Sequence, residues 1–199
     1  LSSHGGSNLQ AIIDACKEGR LHARCCVVIS NNSESMALQR AKNEGIPQYH
    51  LSGKTHPSSE RLDQAIRDTL EKHGVNLVVL AGYMKLLGPL TVSHYRGRIL
   101  NIHPALLPRF GGKGMHGDEV HKAVLLGYGD ISSDPVTGVT IHLVDEEYDH
   151  GPIIAQTAVP VFKDDSVESL RGRVLKREHE FYVETLQRIA EGDIELSGL

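Results

Sequence analysis

Apolar positions along this chain switch period several times. After a glycine-rich opening, Leu9, Ile12, Ile13 and Cys16 recur at helical intervals; Ser7 or Asn8 is placed to cap that helix and Gly19 to close it. "ARCCVVISNN" (residues 23–32) is a short apolar run suited to a parallel strand buried on both faces. "SESMALQRAKNEG" predicts a second helix ending at Gly45, and "IPQYHLS" a short strand. Leu62, Ile66 and Leu70 mark a third helix over residues 58–73, closed by Gly74. "VNLVVLAGYM" (75–84) is the clearest strand, "LGPLTVSHYRG" a short helix or turn, and a further strand runs into Asn101. Alternating helices and strands require a parallel sheet with right-handed crossovers.

Beyond Pro108 the pattern changes. "RFGGKGMHG" is glycine-rich, a helix follows over 119–126, and "GYGDISSDPVTG" (127–138) reads as a loop. "VTIHLVDEEYDHGPIIAQTAVPV" alternates as two antiparallel strands joined through residues 148–152. "DSVESLRGRVLKREHEFYVETLQRIAEG" is a long amphipathic helix capped by Asp165 or Ser166. The expected fold is therefore α/β: a Rossmann-like, mostly parallel twisted sheet with helices on both faces and antiparallel strands toward the C-terminal half. No linker, repeat or low-complexity tract divides residues 1–199, so one domain is expected, with halves meeting near residue 100.

Composition narrows the function classes. With 40% hydrophobic and 23% charged residues, the chain is that of an ordinary soluble globular protein. A net charge of −4 without a long basic run argues against nucleic acid as a partner. The apolar runs are strand-sized, so no membrane association is expected, nor is a secretory leader visible. The three cysteines, Cys16, Cys25 and Cys26, form no C-x-x-C pair; neither a disulfide framework nor a zinc site is indicated, and a reducing, cytoplasmic setting is expected. A glycine-rich loop feeding a helix ordinarily follows a strand, which suggests that the natural chain has residues before Leu1.

Three clusters could carry chemistry. In "GRILNIHPALLPRF", Asn101 and His103 leave a strand end on the same side, where open α/β sheets place their sites; a plain turn is the alternative. "GGSNL" offers a helix N-terminus with free N–H groups, suited to an anion or simply to a cap. "DEEYDHGP" holds four acids in five positions, of which Asp149, on the return into an apolar strand, is placed to meet a strand-end histidine. Neither a calcium loop nor zinc-ligand spacing is present there. His142, in "VTIHLV", shares a strand face with Thr140 and is either a satisfied core histidine or part of this cluster.

Taken in order, "GGSNLQAIIDAC", "VVLAGYMKLL", "LNIHPALLP" and "DEEYDHGPII" resemble the glycinamide ribonucleotide formyltransferases of purine biosynthesis, within the wider folate-dependent formyltransferase superfamily. The likeness runs to about Tyr182. It implies the formyltransferase fold and transfer of a formyl group from 10-formyltetrahydrofolate, as co-substrate, to the amine of glycinamide ribonucleotide, with no metal. It assigns Asn101 and a protonated His103 to the oxyanion and Asp149 to the proton relay. Gly6, Ser7 and Asn8 fall on the family's substrate-phosphate loop and Glu178 on its ribonucleotide contact. Tyr83, Met84 and Leu87, with the backbone of Asp145, Glu146, Glu147 and Tyr148, fall on the reduced-folate pocket.

The family's arginine at the start of the third helix has no clear counterpart, since Arg61 lies nearby but not clearly in register; Lys113 is a candidate for substrate charge. The 111–117 segment and the loop over 129–137 look longer than in compact bacterial members. The short C-terminus favours a stand-alone enzyme, a monomer or weak homodimer. It also argues against a methionyl-tRNA formyltransferase, which carries a basic tRNA-binding domain. A deformylase, with water as acceptor, and a non-catalytic folate- or nucleotide-binding module are the remaining alternatives.

Overall fold

The computed structural model describes residues 1–127 and 135–197. Its elements are α1 (Ser7–Lys17), β1 (Val28–Ser30), α2 (Met36–Asn43), β2 (Gln48–His50), α3 (Ser59–Lys72), β3 (Val78–Leu80), α4 (Pro89–His94), β4 (Ile99–His103), α5 (Asp118–Gly127), β5 (Val136–Leu143), β6 (Ile153–Pro160) and α6 (Val167–Ala190). This is the α/β order that the periodicity predicts.

β1 pairs with β2 and β3 with β4, both parallel. β4–β5 and β5–β6 are antiparallel, so the chirality rule for crossovers governs only the first half. Residues 1–3 lie between β1 and β3: Ser2 N–H donates to the Ile29 carbonyl, Ser3 N–H to Gly82, and Ala81 N–H to Leu1. A cavity of about 680 Å3 opens beside this segment, lined by apolar side chains and all three cysteines.

Both faces of the sheet are covered. Leu100, Ile102, Val139, Ile141 and Val159 pack with residues of α1, α5 and α6. Ile29, Val78, Leu80 and Ile99 pack with α3 and α4 on the other side. Alternation along β4 thus puts Leu100 and Ile102 in one layer and Ile99, Asn101 and His103 toward the other.

Three local expectations change, and one alternative is resolved. α1 is capped by Gly6 in the left-handed region (φ 66°), not by the side chain of Ser7 or Asn8. The strands around 23–32 and 75–84 shorten to three residues each. The second is cut by the turn at Gly82 (φ 75°). The loop expected over 127–138 falls partly outside the described residues (128–134), and its end, Val136–Gly138, already belongs to β5. The cap of α6 is Ser166, whose side chain exchanges hydrogen bonds with Ser169 in a reciprocal box.

Candidate active site

A cavity of about 580 Å3 opens where β3, β4 and β5 end, between the glycine loop, the 112–117 segment and α6. Asn101 and His103 enter it from β4 because period-two geometry puts both on one face. Register supplies the third group, since Asn101 lies opposite His142 and His103 opposite Thr140.

Asp149 completes the cluster from the β5–β6 connection. Its backbone is left-handed (φ 55°), a conformation that costs a non-glycine residue energy and that concentrates at functional sites. Gly151 makes that turn feasible: a Cβ there would collide with the Leu143 carbonyl oxygen, so the returning chain packs backbone against backbone. "DHGP" is therefore a turn whose purpose is to hold one carboxylate inward.

That carboxylate bridges the cluster. Asp149 Oδ2 accepts from Gly112 N–H at 3.0 Å and lies 3.6 Å from His103 Nδ1; Oδ1 lies 3.4 Å from Asn101 Nδ2 and 3.5 Å from His142 Nε2. Burial pushes the Asp149 carboxyl up, but contacts with His142, His103 and the Gly112 N–H outweigh it, and the group stays below the ordinary aspartate range.

Tautomers follow from the partners, because a carbonyl oxygen only accepts. His103 Nε2 donates to the Phe110 carbonyl (2.8 Å), leaving Nδ1 toward Asp149. His142 Nδ1 donates to Leu143 (2.8 Å), leaving Nε2 to accept from Asn101 Nδ2 (3.0 Å). Burial lowers the His103 pKa more than Asp149 raises it, so the imidazole is neutral near pH 7 in the ligand-free protein. In the ligand-free protein the ring thus has one nitrogen held and one facing a carboxylate, whereas the resemblance implies a protonated His103 in the reaction.

The loop beyond His103 is fixed by Thr140. Its hydroxyl donates to the Ala105 carbonyl (2.6 Å) and accepts from Leu107 N–H (3.1 Å) and Gln156 Nε2 (2.9 Å). Sequence alone does not single out Thr140 and leaves the role of His142 open. The readable signal is their shared face in "VTIHLV", but only the β4–β5 register shows what that face meets.

Across the cavity, α6 presents Glu178, which is 7% exposed and lies 3.5 Å from Asn8 Nδ2. Burial pushes the Glu178 carboxyl up to about 7, Asn8 acting weakly against it. Asn8 Oδ1 is buried and has no hydrogen-bond partner among the described residues. Gly6, Ser7 and Asn8 line the cavity as the first residues around the α1 N-terminus. Tyr83, Met84, Leu87, Glu147 and Tyr148 also line the cavity; burial pushes the Tyr83 hydroxyl up to about 12.

Not every candidate converges. Asp145 and Glu146 are absent from the cavity lining. Asp145 instead accepts from Glu147 N–H and pairs with exposed His150 at 3.0 Å. Arg61 is exposed and also outside the lining, whereas Lys113 is part of it.

Comparison with known proteins places this geometry. Residues 1–186 match the family described as formyl transferase. A chloroplastic phosphoribosylglycinamide formyltransferase of Vigna unguiculata is 44% identical over 190 residues, covering 95% of this chain and 59% of the relative. The phosphoribosylglycinamide formyltransferase of Escherichia coli K12 is 38% identical over 202 residues, covering 98% and 88%. A crystal structure of glycinamide ribonucleotide transformylase 1 from Symbiobacterium toebii superposes with a TM-score of 0.88 at 42% identity, covering 100% of this chain and 89% of that one. The chain thus spans about three fifths of the chloroplastic relative and nearly nine tenths of the bacterial one. Sequence and fold agree along almost the whole length, and the chain belongs to the formyl transferase family.

Proposed function

We propose that this protein transfers the formyl group of 10-formyltetrahydrofolate to the amine of glycinamide ribonucleotide, a step of purine biosynthesis. The observation that carries the reading is one carboxylate, Asp149, shared by His103, His142 and Asn101 in the lining of one cavity. The same cavity lining offers a helix N-terminus with Glu178, and a set of aromatic and apolar side chains. An anionic ribonucleotide suits the first group and a flat folate ring the second.

In this reading the substrate amine attacks the formyl carbon, and the carbonyl oxygen becomes an oxyanion. Asn101 Nδ2 turns a proton from its long 3.4 Å contact with Asp149 toward that oxygen, while His142 keeps the amide oriented. Such a donor contributes about 3–4 kcal/mol to the transition state. The amine proton passes to His103 Nδ1, whose new charge falls 3.6 Å from Asp149. The same proton then protonates the leaving folate nitrogen as the C–N bond breaks and the carbonyl re-forms. His103 is neutral at rest, which is what a proton acceptor requires.

The test is formyl transfer from 10-formyl-5,8-dideazafolate, followed by absorbance. Release of deformylated folate should require the ribonucleotide and fall at least about 100-fold in His103→Ala, the lower range of general acid–base contributions. Release without any ribonucleotide would assign water as the acceptor, and binding of both ligands without release would leave only a binding module.

A further inference from the structure

We infer that Arg40, on α2 and outside the cavity lining, is a positioning residue that aims and charges the glycine loop for the substrate's phosphate. This rests on the reading of residues 6–8 as the phosphate site.

The loop's carbonyls point back to α2. Arg40 Nε donates to the Gly5 carbonyl at 2.8 Å, and the Ala37 N–H donates to the His4 carbonyl at 3.1 Å. Both peptide units are trans, so each carbonyl held by α2 turns the N–H of the next residue, Gly5 or Gly6, away from α2. That is the side on which residues 4–8 line the cavity. A hydrogen bond from a charged donor to the Gly5 carbonyl also polarises the same peptide unit, making the Gly6 N–H a stronger donor to an anion.

The fit is close. A Cβ on Gly6 would lie 2.9 Å from Ala37 Cα, so loop and helix touch backbone to backbone. The guanidinium is oriented a second time, by Gln10 Oε1 at 3.3 Å. Among the described residues no carboxylate lies within ion-pair distance of Arg40; nearby Glu44 is taken by Lys17 and Gln10. A half-buried cation without a counter-ion, tied to the back of a loop whose front carries free N–H donors, is a charge held for a ligand. The orphaned Asn8 Oδ1, on a residue 7% exposed at the same cavity wall, independently marks a polar partner still to come.

The experiment compares glycinamide ribonucleotide with its dephosphorylated riboside as formyl acceptors, using the wild-type protein, Arg40→Ala, Arg40→Gln, Arg40→Lys and Gly6→Ala. Arg40→Ala should raise KM for the ribonucleotide about ten-fold, leave kcat within about two-fold and leave the riboside's kcat/KM unchanged, as loss of one charge-assisted contact predicts. Arg40→Lys should recover part of the loss, and Arg40→Gln, which can donate but carries no charge, less. Competitive inhibition by inorganic phosphate should weaken in parallel. Equal losses for both acceptors in Arg40→Ala would reduce Arg40 to a purely structural role and overturn the inference. No loss in any Arg40 variant, while Gly6→Ala abolishes the preference for the ribonucleotide, would overturn it and keep the phosphate site. A preference untouched by Gly6→Ala would remove the phosphate site itself.

Discussion

Replacing Glu178 by Gln should stabilise the protein, and by an amount that grows with pH. The carboxyl is almost completely buried and its hydrogen-bond partner is the Asn8 amide at 3.5 Å. Burial raises its pKa from 4.5, the ordinary value that an unfolded chain keeps, to about 7. Between those values the unfolded chain has released the proton and the folded one still holds it. The folded state then binds more protons, so stability falls as pH rises through this window. With about 1.36 kcal/mol per pKa unit, the accumulated cost is near zero at about pH 4, about 2 kcal/mol at pH 6 and about 3 kcal/mol at pH 7 to 8.

Glutamine keeps the shape and removes the charge, so the Glu178→Gln protein should follow that curve relative to the natural one. The assay is urea unfolding of both proteins by circular dichroism at fixed ionic strength across this pH range. The other titratable groups are common to both proteins and cancel in the difference. Parallel stability curves would refute the reasoning, since they would mean that Glu178 ionises in the folded state as easily as in water. Ribose hydroxyls donating to this carboxylate would draw its pKa back down, so ribonucleotide binding near pH 7 should release protons. Calorimetry in two buffers of different ionisation enthalpy measures that release.

Other changes probe other links. In Asp149→Asn the left-handed backbone is tolerated by asparagine, so the melting temperature should stay close to that of the natural protein while kcat falls about 10²–10⁴-fold; unchanged turnover would remove the carboxylate from the relay. Tyr182→Phe deletes a fully buried hydroxyl lying 3.1 Å from both the Leu80 and Leu100 carbonyls, and should cost about 1–3 kcal/mol in chemical denaturation. Asp63→Ala removes the acceptor that caps α4 through Leu90 N–H (2.7 Å), Thr91 N–H (3.0 Å) and the Thr91 hydroxyl (2.6 Å). A loss of about 3 kcal/mol is expected there, and melting curves within a degree of the natural protein would contradict it.

Why some of this is legible in the sequence and some is not has a physical basis. Helices α3 and α6 carry their own boundaries, a serine cap at one end and a glycine just past the other, and both follow from local spacing. The pairing of Asn101 with His103 is equally local, because alternation along one strand needs no partner. The α1 cap is misread because Ser7 and Asn8 satisfy the compositional rule, whereas Gly6 satisfies the steric one: Ala37 of another helix leaves no room for a Cβ. That contact joins residues far apart in the chain, and spacing cannot report it.

The same limit governs the chemistry. His142 meets Asn101 only because β5 runs antiparallel to β4 in one register; a slip of one residue would send its ring to the opposite face. The protonation state of His103 depends on competition between burial and a carboxylate 46 positions further along the chain. Residue types reveal that an imidazole and a carboxylate are available, and a resemblance reveals that they meet. Only the packing decides which effect is larger. Here burial takes enough water from His103 that the neutral ring is favoured in the ligand-free protein. In the proposed reaction such a ring receives its proton during the transfer instead of holding it beforehand.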